Sequence, residues 1–568
     1  MNRLTIILLA ALSLSLASCS SQAPKTVYLK DYLTEDMLRD DAEPALRKAL
    51  EECLRHSNSA LVLPGGTLPV KPDYCYERFQ RISNNDPGDK RIAFDIRNAD
   101  GLTIEGNGTT LLFSGFISPF SVEDSRNISI NGLNIDYSRT FNSEGLITGS
   151  GEGWVKLRFP DDYNVSIESG ILVFRDENRL KYPYGNLLEF DSERREVAHY
   201  VWDYWIWEPG LEAERLPDGD YKIYRNGIKV TVGNTLVFGA ASRLNPAFTL
   251  ERCDGFSLKD VNIWHCGGMG VIAQRSKDLE LDNVSVVPSP GKNRMISITA
   301  DATHFVNCKG YIRMIDCTFL NQKDDATNIH GWYAVARRKV SADQLLLWSN
   351  YGKDFAEAGM EMELVSHNTM MTYDTLKVKS VYKFNDELSV VTFTEPIPEV
   401  FEEKDVLADI SVKPEVLIKG CTFGNNRARG LLIGSKGKVV IENNHFHVPG
   451  AAILFEGDGN YWYEQSGVKD VTIRGNIFEN CLYGCKGWGK AYIAVGSGIP
   501  QRGTSRYHSN ITIEGNTFNT FDPRILNLYC VDGVTYRGNK VILNNEYVYD
   551  PQGEPFTVED CDNVSIEE

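Results

Sequence analysis

The densest run of reactive side chains lies between Arg294 and His330. It holds Asp301 in the string Ile298-Thr299-Ala300-Asp301-Ala302-Thr303-His304. It also holds Asp324 and Asp325 in Gln322-Lys323-Asp324-Asp325-Ala326-Thr327-Asn328-Ile329-His330. The pair follows Asp301 by 23 and 24 residues. In a chain wound in coils of that length, residues one coil apart lie on neighbouring strands about 4.8 Å apart. The three carboxylates are therefore expected to meet on one exposed face of a solenoid. Crowded carboxylates repel, and that raises at least one pKa. A protonated acid beside ionised bases is what hydrolysis of a glycosidic bond by general acid–base catalysis needs. An isolated Asp-Asp pair reads as a capped turn. A pair one coil from a third Asp, with His304, Asn328 and His330 beside it, reads as a site.

Other chemistries find less support. No nucleophilic Ser or Cys motif stands out, and Gly267-Gly268-Met269-Gly270 makes a poor phosphate loop. The cysteines show no CxxC pair and no zinc spacing; Cys481 and Cys485 come nearest and lack partners. Neither a metal nor a cofactor is expected. An exported chain can oxidise some of its thiols, and Cys53 with Cys75 is a plausible pair.

The elements that must position the carboxylates repeat along the chain. One phrase returns: a polar residue or Gly, alternating apolar and polar residues, then Gly or Asn. It appears as Gly101-Leu102-Thr103-Ile104-Glu105-Gly106, Asp278-Leu279-Glu280-Leu281-Asp282-Asn283, Val439-Val440-Ile441-Glu442-Asn443-Asn444 and Ile511-Thr512-Ile513-Glu514-Gly515-Asn516. Asp254 and Asp278 are 24 residues apart, and Gly515 and Gly538 are 23 apart. Period-two strands bounded by Gly or Asn at this interval predict stacked β-coils, with Gly and Asn supplying left-handed corners. The fold class expected is all-β: a right-handed parallel β-helix with an N-terminal helical cap and two β-rich inserts. The cap is the helical segment Glu43–His56, with Pro44 in its first turn and Ala45, Leu46, Ala49, Leu50 and Cys53 on one face.

Two stretches break the period, which divides the chain. Residues 19–137 form the cap and first coils, 138–243 an insert, 244–331 the coils with the carboxylates, 332–410 a second insert, and 411–568 the last coils. The first insert holds Trp202, Tyr204, Trp205 and Trp207, which are expected to form its core rather than a sugar platform. Six Asn-x-Ser/Thr sequons, at Asn107, Asn127, Asn164, Asn283, Asn510 and Asn563, read as corner asparagines rather than glycosylation sites.

The chain opens with an address. Met1–Ser18 has one early positive charge and an apolar run, and it ends in Leu16-Ala17-Ser18-Cys19. That layout is a secretory signal. Small residues before Cys19 resemble the lipobox of bacterial lipoproteins, which implies cleavage, lipidation of the Cys19 thiol and an exported protein held to a membrane by that anchor alone. With 59 Lys+Arg against 77 Asp+Glu, the net charge of −18 speaks against nucleic acid and against polyanionic substrates. The sequence leaves the oligomeric state and the membrane leaflet open.

Thr299-Ala300-Asp301 followed one coil later by Gln322-Lys323-Asp324-Asp325 looks like the polygalacturonase layout, but the later Gly-His-Gly and Arg-Ile-Lys motifs of that family are absent. The string Ala300-Asp301-Ala302-Thr303-His304-Phe305 with Asp324-Asp325-Ala326-Thr327-Asn328-Ile329-His330-Gly331 more closely resembles glycoside hydrolase family 110, the bacterial exo-α-1,3-galactosidases. The likeness extends to the lipoprotein-type start, the cap helix and the two inserts. It implies metal-independent, inverting hydrolysis of terminal α-1,3-linked galactose, from branched blood group B glycans and from linear Galα1-3Gal. Asp301 would be the general acid, with Asp324 and Asp325 holding the water as bases, at the roughly 6.5–9.5 Å separation of an inverting pair. His304, Asn328, His330, Arg429, Glu456 and Trp462 would bind the galactose. Asp458, Arg427 and Trp264-His265 are weaker candidates. A non-catalytic glycan-binding β-helix and a polysaccharide lyase are the rival readings. The first needs no crowded acids. Lyases on this fold usually recruit calcium and a basic Arg or Lys, and no such cluster is evident.

Overall fold

The computed structural model describes residues 25–207, 210–352, 354–550 and 553–567. The leader Met1–Ser18 and Cys19 lie outside the described residues.

The alternating phrases form strands that stack in parallel, coil upon coil, into one sheet of 22 strands and another of 13. The register keeps like residues in line: Val439 pairs Val471, which pairs Ile511, then Val534 and Val564. Inward side chains of one coil thus rest on those of the next, and the core is a set of ladders. Phe319, Phe423, Phe446, Phe478 and Phe518 follow one another with ring centroids 5.7, 5.2, 5.0 and 4.6 Å apart. Beside them Asn444 donates through Nδ2 to Asn476 Oδ1, Asn476 to Asn516 and Asn516 to Asn539, at 2.9–3.0 Å. Each buried amide is thereby satisfied by the next coil. The asparagines of all six sequons sit in the left-handed region, from φ 41° at Asn164 to 55° at Asn127, as corner residues do.

The helix Glu43–Cys53 covers the N-terminal end, burying Ala45, Leu46, Ala49, Leu50 and Cys53. It stops three residues before His56. Cys53 and Cys75 are separate buried thiols, so the pairing expected of them does not form. Both face apolar surroundings, and burial pushes their pKa values up, that of Cys53 to about 11.

The first insert is antiparallel and spans strands Ser143–Gly151 to Thr235–Ala240. The second is a closed six-stranded barrel from Ala334–Ser341 to Val406–Asp409. The tryptophans of the first insert are not its core. Trp207 is 86% exposed, and Trp202 and Trp205 are at least half exposed. The core position is taken instead by Phe159, Phe174, Tyr184 and Phe238, which pack edge to face. Trp202, Trp205 and Trp207 lie between strands Glu196–Val197 and Ala213–Arg215, where the only strand among the described residues is the two-residue Tyr204–Trp205.

Candidate active site

In the 13-stranded sheet Thr303 pairs Thr327, and Thr327 pairs Leu431. Two residues earlier, at the corner before each strand, this register brings Asp301, Asp325 and Arg429 into line in three successive coils. Backbone hydrogen bonds fix the alignment: Gly270 N–H to Asp301 O (3.0 Å), Ala302 N–H to Asp325 O (3.1 Å) and Ala326 N–H to Arg429 O (3.2 Å). The approach of coils is so close that a Cβ on Gly270 would stand 2.5 Å from the Ala302 carbonyl oxygen.

One carboxylate oxygen from each of Asp301, Asp324 and Asp325 lies within 4.8 Å of the other two. They share a cavity of about 360 Å³ with Asn84, Arg243, His304, Asn328, Arg429, Glu456, Trp462 and Glu464. One expectation needs correction. The trio does not lie on an open face: Asp301 and Asp325 are only 4% and 3% exposed. The segment around Asn84, Arg243 at the end of the first insert and the loop carrying Trp462 wall the sheet in.

Three guanidiniums answer the three acids. Arg243 donates through Nη2 to Asp324 Oδ2 (2.5 Å), and Arg427 through Nη1 to Asp324 Oδ1 (2.9 Å). Burial opposes ionisation of Asp324, but Arg427 and Arg243 outweigh it and hold the pKa below the ordinary carboxylate value. Asp325 takes a fork from Arg429, Nε to Oδ1 at 3.0 Å and Nη2 to Oδ2 at 2.8 Å, and Oδ1 also accepts the Arg429 N–H. Burial still pushes Asp325 up to about 7, against the pull of Arg429. Arg427 is held from behind by Asp203 of the first insert (2.9 Å), and Arg429 reaches Glu456 (3.3 Å). By distance the three carboxylates are tight enough to share a cation, but their charge is already met by these guanidiniums.

Asp301 differs from the pair. Its Oδ2 lies 2.7 Å from His304 Nδ1, and the next hydrogen bonds fix the proton. His330 Nδ1 faces the Gly331 carbonyl oxygen at 2.6 Å and must donate. Burial lowers the pKa of His330, so the ring is neutral and its Nε2 carries a lone pair. His304 Nε2, 3.0 Å away, must then donate to it. Burial depresses His304 to about 4, which keeps it neutral and leaves Nδ1 as an acceptor. The shared proton therefore sits on Asp301, whose own pKa burial and the Asp324 charge raise to about 7.

Of the residues the sequence singles out, His304, Asn328, Arg429, Glu456 and Trp462 line the cavity. His330 stands behind His304 and closes the chain toward Glu464, 3.6 Å from its Nε2. Asp458 turns the Trp462 loop by accepting the N–H groups of Asn460 and Trp462. His265 belongs to the core, where it accepts the Phe141 N–H at 2.8 Å. Sequence reasoning missed Arg243, Asn84, Met269 and Glu464.

Two family models named for GLAA-B β-barrel domains match residues 143–236 (domain I) and 349–407 (domain II), and a right-handed β-helix region matches 406–568. An α-1,3-galactosidase A of Shewanella woodyi is 33% identical over 545 residues, covering 94% of this chain and 89% of that protein. The chain belongs to the α-1,3-galactosidase A/B family of glycoside hydrolases. An α-1,3-galactosidase B of Bacteroides thetaiotaomicron is 30% identical and covers 98% of this chain and 92% of its own. Among solved structures, the A-module of an Azotobacter vinelandii mannuronan C-5 epimerase is 10% identical, covering 95% of this chain and all of that chain, with a TM-score of 0.38. The site is a β-helix corner flanked by both inserts: Asp203 belongs to the first and Arg243 follows its last strand, and Tyr351 of the second donates to the Trp462 carbonyl oxygen at 3.0 Å.

Proposed function

We propose that this pocket removes a terminal, non-reducing α-1,3-linked galactose from glycans by inverting hydrolysis, accepting both branched blood group B and linear Galα1-3Gal ends. The observation that carries the reading is Asp301, hydrogen-bonded to His304 at 2.7 Å, facing two carboxylates clamped by arginine. Asp301 gives its proton to the glycosidic oxygen as the bond to the anomeric carbon breaks. Asp325, poised near neutrality, takes a proton from the attacking water, whose oxygen becomes the new anomeric hydroxyl. Asp324, held ionised by Arg243 and Arg427, orients that water and stabilises positive charge at the anomeric carbon. Both oxygens of Asp324 and of Asp325 already accept guanidinium hydrogen bonds. That favours a water-holding role over direct attack on carbon, and so favours inversion. Trp462 offers the apolar face of the sugar a stacking surface, while Glu456, Asn328 and Glu464 offer acceptors and a donor to its hydroxyls.

The test is proton NMR of the first product from Galα1-3Gal and from the branched trisaccharide. Early release of β-galactose is expected from both. Early release of α-galactose would mean a covalent intermediate and a different nucleophile, and no release at all would remove the assignment of substrate.

A further inference from the structure

A second cavity, of about 310 Å³, opens on the same outward face of the 13-stranded sheet. Its floor includes Thr249, and Thr249 lies two strands from His304: strand Phe248–Glu251 pairs Val271–Gln274, which pairs Thr303–Val306. At ladder spacing that is about 10 Å. The strand Tyr76–Gln80 forms one wall, and Trp332 and Tyr351 form the other. Ile272 stands between Thr249 and His304 in the sheet and packs with Ile82 and Trp332, and Tyr351 lies 6.0 Å from the His330 ring.

The chemistry of the lining is that of a sugar site. Thr249 and Gln80 are 3% and 8% exposed, yet Thr249 Oγ1 and Gln80 Oε1 have no hydrogen-bond partner within the protein. Buried polar atoms are normally satisfied by protein or by water, so the two leave hydrogen-bonding capacity beside the cavity for a water or a ligand hydroxyl. Gln80 is held for it from behind, donating through Nε2 to Ser121 Oγ at 2.8 Å. Arg78, Arg252 and Arg275 do not call for an anion here, and Arg81 reaches Glu387 at 3.9 Å. Arg78 pairs with Asp95 and Glu123, Arg252 with Asp124 and Glu251, and Arg275 with Glu251. Trp332 and Tyr351 stack at 5.3 Å, and Phe79 stands 63% exposed at the rim. Charge-balanced polar groups beside exposed aromatic surface fit an uncharged pyranose.

We propose that this cavity is a second sugar-binding site, taking a neutral hexose unit of a glycan while another end occupies the catalytic pocket. The proposal rests on the pocket's reading as a galactosidase site only for the second sugar's source; binding itself is measured apart from turnover. The source is either a distal unit of the glycan being cut or a neighbouring chain on the same glycoprotein.

The experiment uses the full-length protein as Asp325→Asn, which keeps glycans uncut, titrated by calorimetry with a neutral hexasaccharide capped by Galα1-3Gal and soaked into crystals. Sugar density in both cavities is expected. Phe79→Ala changes an exposed ring, and Thr249→Val replaces an unpaired hydroxyl by a methyl group of the same shape, so both should fold. Added to Asp325→Asn, each should remove density from the second cavity while sparing the first. In the otherwise wild-type enzyme each should leave kcat/KM for p-nitrophenyl α-galactoside unchanged and raise KM for larger substrates about fivefold. A rise on the free hexasaccharide assigns the site to the same glycan, and a rise only on a glycoprotein assigns it to a neighbouring chain. Sugar confined to the catalytic pocket, or both variants kinetically silent on every large substrate, would overturn the proposal. So would density for a sulfated hexasaccharide where the neutral one leaves none.

Discussion

Asp301 Oδ2 and His304 Nδ1 stand 2.7 Å apart, and the proton between them belongs to the acid. The assignment comes from behind the histidine, through His330 to the Gly331 carbonyl oxygen. It makes Asp301 a stored proton donor in the resting protein. A pH profile reads this directly. The acid must be protonated, so activity falls as pH rises through about 7, where burial has raised the Asp301 pKa. The base must be ionised, so activity also falls as pH drops through about 7, where Asp325 titrates. The expected profile of kcat/KM is a narrow bell centred near neutrality. His304→Phe removes the lone pair that accepts from the protonated acid, which destabilises the neutral form. The alkaline limb should then move down by about one pH unit. An unmoved limb would place the proton elsewhere.

The roles of the three carboxylates separate with the leaving group. Asn at position 301, 324 or 325 keeps the shape and removes the proton chemistry. Each is expected to lower turnover of Galα1-3Gal by roughly 10²–10⁴-fold. Asp301→Asn should recover most of that loss on an aryl galactoside with a good leaving group, which needs no protonation. Asp324→Asn and Asp325→Asn should stay slow on both substrates, because attack by water still lacks its base and its holder. Near-normal rates for either would reassign the base.

Stability should part the same residues in a second way. The Asp325–Arg429 fork is buried on the carboxylate side and partly exposed on the other. Breaking a buried pair strands a charge, so Arg429→Met should cost about 2–4 kcal/mol in denaturant unfolding. Asp301→Asn breaks no ion pair with arginine and should cost less than half as much. Equal losses would show that the fork contributes no more than the Asp301–His304 hydrogen bond.

Removal of metal is expected to change nothing. Arg243, Arg427 and Arg429 supply the positive charge that a cation would bring to the trio. Initial rates before and after dialysis against EDTA should agree within error. A loss restored by calcium would instead show that the 4.8 Å cluster of oxygens holds an ion.

What the sequence made legible follows from locality. The coil phrase repeats every 23–24 residues, so the β-helix and the meeting of Asp301 with Asp325 could be counted along the chain. Arg429 is the next member of the same column, but the barrel between Ala334 and Asp409 sets it 104 residues from Asp325 and hides the period. Arg429 is a candidate in the sequence all the same, whereas Arg243 was missed, since it enters the pocket at the end of the first insert. Asn84 comes from a third direction, a segment that folds back over coils more than 180 residues later to reach His304. The exposed tryptophans misled because aromatic clustering reports a preference for burial, which the irregular segment around Tyr204–Trp205 leaves unmet.

The leader makes the last prediction. Leu16-Ala17-Ser18-Cys19 has the layout of a lipoprotein signal. Expressed with its own leader in a Gram-negative host and labelled with radioactive palmitate, the protein should carry label and sediment with membranes. Cys19→Ser should lose the label and move the protein to the soluble exported fraction. Its activity on p-nitrophenyl α-galactoside should be unchanged, because the first described strand begins at Lys25, remote in sequence from every residue of the pocket. Label retained by Cys19→Ser would put the acyl chain on another residue, and an unlabelled, soluble wild-type protein would make the leader an ordinary secretory signal.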